Sequence, residues 1–393
     1  MRPPRALTPL ALQRPLQLIG HSRPITVLKY NHDGDLLFTA SKESSVGGTH
    51  NLCLWLVETG ERVGTYTGHT GAVYSLDVTR DSKYLLTGSA DATARLWEAL
   101  TGKLLATIPL KGPCHGVAWA EGERSFAVIS NKFLSHDAQV CVYDFNPAAA
   151  TEAEMVSADP RLVFSDPATA SVNYTRCAWM PMNEGILLSM ENGALRHVDL
   201  ATRTIRQQWT EHTGAVTCMA FNDTKTLLVT SSKDKSAALW DVADMVVRNR
   251  YTADVPLNAA ALSPFKEHVI LGGGVEAREV TTSAGAGKFE TRFYDLVQGS
   301  ELGRVKGHFG PVNALAFAPD GWGFTSGSED GFVRMHKLDE DYLKLGEEDD
   351  LDDPKLRAAL EDGTFEQLEK EEEEELAKGK AEGAARGGAG GGS

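Results

Sequence analysis

The sequence predicts an all-β protein built from seven repeated units, each long enough for one four-stranded antiparallel sheet. The first observation is a fixed spacing, because in four segments a His is followed 22 positions later by an acidic residue. The second is that these His residues lie 48, 143 and 96 positions apart, close to one, three and two steps of 48. The third is that no long stretch before about residue 350 has a helical period. The four pairs are His21 with Glu43, His69 with Asp91, His212 with Asp234, and His308 with Asp330.

Each unit also carries markers at its start and its end. Gly68-His69 and Gly307-His308 open their units, Trp240-Asp241 closes one, and Trp97-Glu98 is a near match to that close. A repeat in the forties with a Gly-His opening and a Trp-Asp close is typical of WD40 blades. The sequence therefore predicts a seven-bladed WD40 β-propeller.

The first strand of each clear unit follows the His directly. Apolar residues recur 4, 7 and 9 positions after it, which places apolar groups on both faces of the strand and indicates that it is covered on both sides. Turn residues such as Asp33-Gly34 and Asp81-Ser82 then precede a second apolar run. The first-strand residues are Ile25, Leu28, Tyr30; Val73, Leu76, Val78; Val216, Met219, Phe221; and Val312, Leu315, Phe317.

Three units lack part of this pattern and are inferred from the 48-residue spacing. The third closes on Tyr143-Asp144, the fourth on Val198-Asp199 and the sixth on Tyr294-Asp295. After Leu338 the seventh unit has only three strands, whereas the run at residues 16–19 precedes the first His without a sheet of its own. We expect this N-terminal strand to complete the last blade, since that leaves no sheet edge open.

These boundaries predict three regions. Residues 1–15 form an N-terminal extension, residues 16–338 the propeller, and residues 339–393 an acidic tail that is partly helical or disordered. The tail holds 19 Asp and Glu against 7 Lys and Arg, which leaves 35 against 32 for the rest of the chain. A nearly neutral propeller disfavours direct nucleic-acid binding, which needs clustered basic residues, and favours protein partners.

The repeated polar residues are the candidate site. With Thr87 or Ser89 nearby, His69 and Asp91 supply the residue types of a catalytic triad, but a triad occurs once and this set occurs four times. We interpret it as a buried hydrogen-bond network that stabilises each blade, with no catalytic residue. Its predicted members are His21, Glu43, Trp55, His69, Asp91, Trp97, His212, Asp234, Trp240, His308 and Asp330.

Other patterns argue against cofactor, metal and membrane sites. Gly285-Ala286-Gly287-Lys288 resembles a phosphate-binding loop, but Thr282 and Phe289 stand where that motif needs Gly and Ser or Thr. This insertion at residues 272–288, like a second one at residues 44–50, is interpreted as a surface loop. The five Cys residues have no metal-ligand spacing and are read as buried thiols. No apolar run approaches the ~20 residues that span a bilayer, and a small-molecule substrate is not expected.

Several stretches closely resemble subunit i of eukaryotic translation initiation factor 3, over about residues 14–338. They include the segments 60–73, 270–277, 303–313 and 328–334, and the match extends to the Gly-rich insertion, which generic WD40 repeats lack. The N-terminal residues, the loop after Glu43 and the acidic tail depart from the pattern of that family.

The resemblance implies a non-catalytic scaffold subunit of a large cytoplasmic complex that supports mRNA recruitment and scanning by the small ribosomal subunit. It implies docking of a C-terminal helical segment of subunit b, in a groove that we expect on blades five to seven, and contact with subunit g. It supplies no cofactor. The alternative is a generic WD40 protein-interaction scaffold in signalling or ubiquitin transfer, which shares the fold and lacks only the family-specific stretches.

Overall fold

The computed structural model describes residues 14–43, 51–166, 172–275, 289–338 and 342. These residues form 28 β-strands arranged in seven four-stranded antiparallel sheets. Two short 3-10 turns, Glu152–Glu154 and Pro181–Asn183, interrupt the connections. The prediction of a seven-bladed all-β propeller is confirmed. The predictions for residues 1–13, for the insertions at 44–50 and 276–288, and for the tail, of which only Tyr342 is described, lie outside these ranges.

Six blades are continuous in sequence. Blade 1 contains β2 (Ile25–Tyr30), β3 (Leu36–Ser41), β4 (Leu52–Leu56) and β5 (Arg62–Thr65); blade 2 contains β6 (Val73–Val78), β7 (Tyr84–Ser89), β8 (Thr93–Glu98) and β9 (Leu104–Pro109); blade 3 contains β10 (Gly116–Trp119), β11 (Ser125–Ser130), β12 (Gln139–Asp144) and β13 (Leu162–Phe164). Blade 4 contains β14 (Tyr174–Trp179), β15 (Gly185–Met190), β16 (Leu195–Asp199) and β17 (Thr204–Trp209); blade 5 contains β18 (Val216–Phe221), β19 (Leu227–Ser232), β20 (Ser236–Asp241) and β21 (Val246–Thr252); blade 6 contains β22 (Leu257–Leu262), β23 (His268–Gly273), β24 (Glu290–Asp295) and β25 (Glu301–Lys306).

Blade 7 combines the two ends of the propeller. Its strands are β26 (Val312–Phe317), β27 (Gly323–Ser328), β28 (Val333–Lys337) and β1 (Leu16–Leu18), in the order β1-β28-β27-β26. Leu16 pairs with Met335 and Leu18 with Val333 in antiparallel register. The prediction that the N-terminal strand completes the last blade is confirmed, and β28 is thereby no longer an edge strand.

The first strand of each blade is the innermost one. These strands contact one another in succession from β2 to β26, and β26 contacts β2 again, so the ring closes around a central channel. Ile25, Leu28 and Tyr30 on β2 are all buried, as expected for a strand covered on both faces. Most of the innermost strands carry a bulge near their start, for example at Tyr74 on β6 and Thr175 on β14.

The hydrophobic core is divided among the spaces between blades. One cluster joins blades 1 and 2 through Phe38, Leu54, Leu76 and Trp97, and another joins blades 7 and 1 through Leu18 and its neighbours. Blades 3, 4 and 6 pack in the same way although they lack parts of the repeat pattern. Each blade therefore depends on its neighbours for the burial of its apolar faces.

Candidate functional site: the blade network and the groove at blades five to seven

The polar network is most complete in blade 2. His69 lies in the link before β6, and Asp91 lies in the turn between β7 and β8. Nδ1 of His69 is 2.9 Å from the Asp91 carboxylate, and Nε2 is 2.8 Å from the hydroxyl of Thr87. The indole N–H of Trp97 donates to the same hydroxyl over 2.9 Å. These four side chains connect the link, the turn and two strands of one blade.

Backbone groups hold the carboxylate of Asp91 in place. It accepts hydrogen bonds from the N–H of Thr70 at 2.9 Å and from the N–H of Thr93 at 3.0 Å. The second bond closes an Asx turn, which suits the tight connection between β7 and β8. Asp91 therefore accepts hydrogen bonds from donors in the link and in the turn, which a nonpolar side chain would leave without a partner.

The same geometry recurs in blade 5. His212 lies 3.3 Å from the carboxylate of Asp234 and 2.9 Å from the hydroxyl of Thr230, which also accepts from Trp240 at 3.0 Å. The carboxylate accepts the N–H of Thr213, the residue that follows the His. This repetition supports a structural role for the residue set.

Blade 7 keeps the His and Asp but changes the other two members. His308 contacts Asp330 at 3.1 Å and the hydroxyl of Ser326 at 2.8 Å. His336 takes the position of the Trp, 3.4 Å from the same hydroxyl, and its ring stacks on Phe324 with 4.5 Å between centroids. Arg334 adds a bond of 3.1 Å to Asp330.

Blade 1 shows how an acidic residue with a longer side chain fits the same position. His21 lies 2.8 Å from the hydroxyl of Thr39, which accepts from Trp55 at 2.8 Å. The carboxylate of Glu43 accepts from both the N–H and the hydroxyl of Ser22, the residue after the His. Glu43 therefore binds the link before β2 as Asp91 binds the link before β6. In both blades the carboxylate accepts from the backbone N–H of the residue after the His.

The hydroxyl-bearing residues were missed as members of the predicted set. In each of these blades one hydroxyl forms hydrogen bonds with the His and with a ring nitrogen of the Trp or of His336. The hydroxyl residues are Thr39, Thr87, Thr230 and Ser326. Their signal was present in the sequence, since each stands 18 positions after its His. All four residues are fully buried, so a substrate could not reach the hydroxyl as it reaches the Ser of a catalytic triad.

The charges of the network follow from its burial. Burial raises the pKa of the Asp91 carboxyl, but the hydrogen bonds from His69 and Thr93 outweigh this, and the pKa lies well below its ordinary value. Burial lowers the pKa of His69 despite the nearby carboxylate. A neutral imidazole therefore donates from Nδ1 to an ionised carboxylate and accepts at Nε2 from the Thr hydroxyl.

These shifts predict that the protein loses stability as the pH falls below about 6.5, the ordinary His pKa. Burial lowers the pKa of His69, His212 and His308, and lowers that of His336 to about 3. The unfolded chain then binds more protons than the folded chain, so this stability is present above pH 6.5 and is lost towards the folded pKa. Each such His contributes at most about 1.4 kcal/mol per pH unit.

Urea unfolding at pH 7.5 and at pH 5 measures this dependence. The variant His336→Phe keeps a ring against Phe324 and removes one titrating group, so we expect a smaller loss of stability on acidification. His32→Gln, at an exposed position, is the control and should keep the whole dependence. An unchanged free energy of unfolding between the two pH values would contradict the assignment of neutral buried rings.

A groove lies on the opposite face of the propeller, between blades 5 and 6. The turns after the first and third strands of an antiparallel blade share one face, and the network occupies the other. The groove has a volume of about 300 Å³ and includes the turns after β18, β22 and β24. Its lining residues are Asn222, Asp223, Thr224, Leu227, Leu262, Ser263, Pro264, Phe265, Lys266, Glu267, His268 and Leu296.

Large apolar side chains are exposed beside this groove. Phe265 is 67% exposed, as is Val297, which follows Leu296. The ring of Phe265 lies so close to the backbone of Gly321 in blade 7 that a Cβ at that glycine would lie 2.4 Å from it. Trp322 follows and is 46% exposed. The apolar surface therefore extends from blade 5 to blade 7, and exposed patches of this kind are typical of protein interaction sites.

The described ranges offer neither a metal site nor a membrane-spanning helix. They contain no group of three or more His, Cys, Asp or Glu residues that could hold a metal ion, and no helix long and apolar enough to cross a bilayer. The five cysteines are free. Four are buried as predicted, but Cys218 is partly exposed because it lies on an innermost strand beside the channel.

The closed ring of four-stranded blades, tied by repeated His, Asp, Thr and Trp contacts, defines a WD40-repeat β-propeller. A family model described as EIF3I matches residues 13–348. The chain is 38% identical over 333 residues to eukaryotic translation initiation factor 3 subunit I of Culex quinquefasciatus, covering 84% of this chain and 99% of that protein. Proteins of the same name from Bombyx mori and Xenopus laevis are 40% and 39% identical over 331 residues, each covering 84% of this chain and 97% and 98% of their own lengths. The chain belongs to the eukaryotic translation initiation factor 3 subunit I family.

Proposed function

We propose that this chain is a non-catalytic scaffold subunit of the eukaryotic translation initiation factor 3 complex in the cytoplasm. In this role it docks subunits b and g and supports mRNA recruitment to the small ribosomal subunit and scanning. The family match over residues 13–348 carries the proposal, since the matched relatives bear the name of that subunit. The buried network bears on the non-catalytic part of the proposal alone, because its hydroxyl groups are fully buried and out of reach of a substrate.

The groove at blades 5 to 7 is our candidate for the site that takes the helical segment of subunit b. An amphipathic helix binds by placing apolar side chains one turn apart into a hydrophobic groove. Leu227, Leu262 and Leu296 line the groove and are partly buried. We take as its rim two exposed residues, Phe265 of the lining and Val297, which follows Leu296. Asp223, Lys266 and Glu267 supply charges of both signs at the edge, which suits a helix with a mixed polar face.

Substitution at the rim tests this assignment. Phe265→Asp and Val297→Asp each place a carboxylate where the helix would bury apolar surface, and we expect subunit b to bind at least about thirtyfold more weakly. Both residues are 67% exposed in the free chain, so the fold should tolerate the change. Binding of purified subunit b to the full chain is the measurement.

Phe309→Asp is the matched control. Phe309 is 83% exposed and precedes β26, on the face that carries the network, so its replacement should leave binding of subunit b unchanged. Equal affinity of the wild type and both rim variants would overturn the groove assignment without touching the family role.

Affinity purification of the tagged chain from a eukaryotic cytoplasmic extract tests the family role itself. We expect the other subunits of initiation factor 3 to be recovered, with b and g retained most strongly as the salt concentration rises. Recovery of a different stable assembly without them would overturn the proposed function and leave a generic WD40 scaffold.

A further inference from the structure

Near the start of the innermost strands of blades 2, 3 and 4, at one mouth of the central channel, lie hydrogen-bond donors that have no partner in the described part of the chain. Tyr74 is the second residue of β6, His115 directly precedes β10, and Arg176 is the third residue of β14. Tyr74 and His115 are in edge-to-face contact, with 4.5 Å between ring centroids. All three residues are only partly buried.

Arg176 has no carboxylate partner among the described residues. Its Nη1 atom donates to the carbonyl oxygens of Thr175 at 3.0 Å and His115 at 3.4 Å. A guanidinium carries five N–H donors, so those on Nε and Nη2 remain free of any bond within the described residues. Burial lowers the pKa of Arg176, and no carboxylate of the described residues offsets this effect.

The other charges of the innermost strands are neutralised. Lys29 on β2 lies 2.5 Å from the carboxylate of Asp77 on β6. Asp77 also accepts the backbone N–H of Trp119 at 2.7 Å. In the described part of the ring, Lys29 is therefore paired with a carboxylate, whereas Arg176 is not.

In blades 5, 6, 7 and 1, the second residue of the innermost strand forms a side-chain hydrogen bond to the next blade. Thr217 donates to the carbonyl of Leu257, and Asn313 donates to that of Ile25. Asn258 and Thr26 likewise reach the next blade. Within the described residues, the phenol of Tyr74 and the imidazole of His115 form no such hydrogen bond. Their rings meet edge to face across blades 2 and 3, which leaves the polar groups of both side chains available to a ligand.

We propose that Arg176, His115 and Tyr74 form a binding site for a phosphate group at this mouth of the channel. A guanidinium with a free Nε and Nη2 edge binds two oxygens of a phosphate in the fork geometry that it prefers. The imidazole and the phenol then supply one donor each to the third oxygen. Burial together with the charge of Arg176 lowers the pKa of His115 to about 4, so the ring is neutral and can still donate one hydrogen bond.

The cost of the free site supports a binding role. A cation that is removed from bulk water and left with backbone carbonyls alone destabilises the fold, whereas a bound anion would compensate it. We therefore expect Arg176→Gln to keep or raise the thermal stability of the free chain and to lose the response to phosphate. A residue that served the fold alone would show the opposite, with lower stability at any phosphate concentration.

Thermal unfolding and phosphorus NMR of the full chain test the site with inorganic phosphate at constant ionic strength. We expect saturable one-to-one binding by the wild type and binding at least about tenfold weaker in Arg176→Gln. Arg203→Gln, at an exposed position on blade 4, is the matched control and should bind as the wild type does. His115→Phe keeps the ring contact with Tyr74 and should weaken binding about twofold to tenfold, so it decides the question if Arg176→Gln fails to fold.

Two further outcomes distinguish the source of the phosphate group. A blocked phosphoserine that binds more tightly than inorganic phosphate would assign the site to a phosphorylated side chain of a protein partner, and the reverse order would assign it to the free ion. Absence of saturable binding by the wild type, or equal binding by folded Arg176→Gln, would overturn the proposal.

Discussion

Deletion of residues 1–18 is expected to destabilise the whole propeller and not only its N-terminus. The deletion removes β1, which is the outer partner of β28 and closes the ring. Leu18 is 2% exposed and packs with Ile25, Trp55 and Met335 between blades 7 and 1. Loss of one such buried leucine costs about 2 to 5 kcal/mol, and the deletion also leaves the backbone of β28 as an open edge. We therefore expect a lower urea midpoint and concentration-dependent self-association.

A shorter truncation, of residues 1–13, keeps β1 and serves as the control for the loss of chain. At the level of single residues, Leu18→Asp should reproduce the large destabilisation, since it buries a charge without a partner. Its neighbour Ile19 is 76% exposed, so Ile19→Asp should change the free energy of unfolding by no more than about 0.5 kcal/mol. Urea unfolding together with light scattering separates these variants. A deletion of β1 that unfolds like the wild type would show that the ring does not depend on this strand.

Asp91→Ala is expected to cost on the order of 1 to 3 kcal/mol of unfolding free energy. The change leaves His69 and the backbone N–H groups of Thr70 and Thr93 without the acceptor that they now share. The folded state also loses stability that depends on the depressed pKa of this carboxyl. That stability is present above about pH 4, the ordinary pKa of Asp, and disappears as the pH falls further.

A matched variant and a double-mutant cycle sharpen this experiment. Asp33→Ala changes an exposed acidic residue in a turn of blade 1 and should have little effect on stability. Thr87→Val removes the hydroxyl that joins His69 to Trp97. Because both changes act through His69, their costs should not add when combined. Wild-type thermal stability of Asp91→Ala, or strict additivity with Thr87→Val, would contradict a shared network.

The repeat made the architecture readable from the sequence. The His and the acidic residue lie within one blade, 22 positions apart, so the distance along the chain reports the distance in space. The same holds for Trp97 and Trp240, which follow their acidic residue by six positions. Even the closing strand at Leu16–Leu18 could be inferred, because a blade of three strands leaves an edge that must be covered.

Where the repeat pattern breaks, the sequence alone was less informative. In blade 1 the acidic residue is Glu43, and its carboxylate accepts hydrogen bonds from Ser22, a contact that the spacing from His21 did not predict. The fixed offset of 18 from His69 to Thr87 was present in all four clear units, yet a hydroxyl residue is common and carries little signal by itself. The contact with the indole of Trp97 is what reveals its place in the network.

The sequence by itself determined the fold and the number of blades, because both depend on the spacing of the repeat. It also predicted the closing strand, because a last blade of three strands leaves an open edge. Only the tertiary structure decided which side chains meet across blades. Phe265 of blade 6 lies against Gly321 of blade 7, and the edge of Tyr74 in blade 2 meets His115 of blade 3. Arg176 of blade 4 reaches the carbonyl of His115. No spacing in the chain reports such contacts, since they depend on how one sheet packs beside the next around the channel.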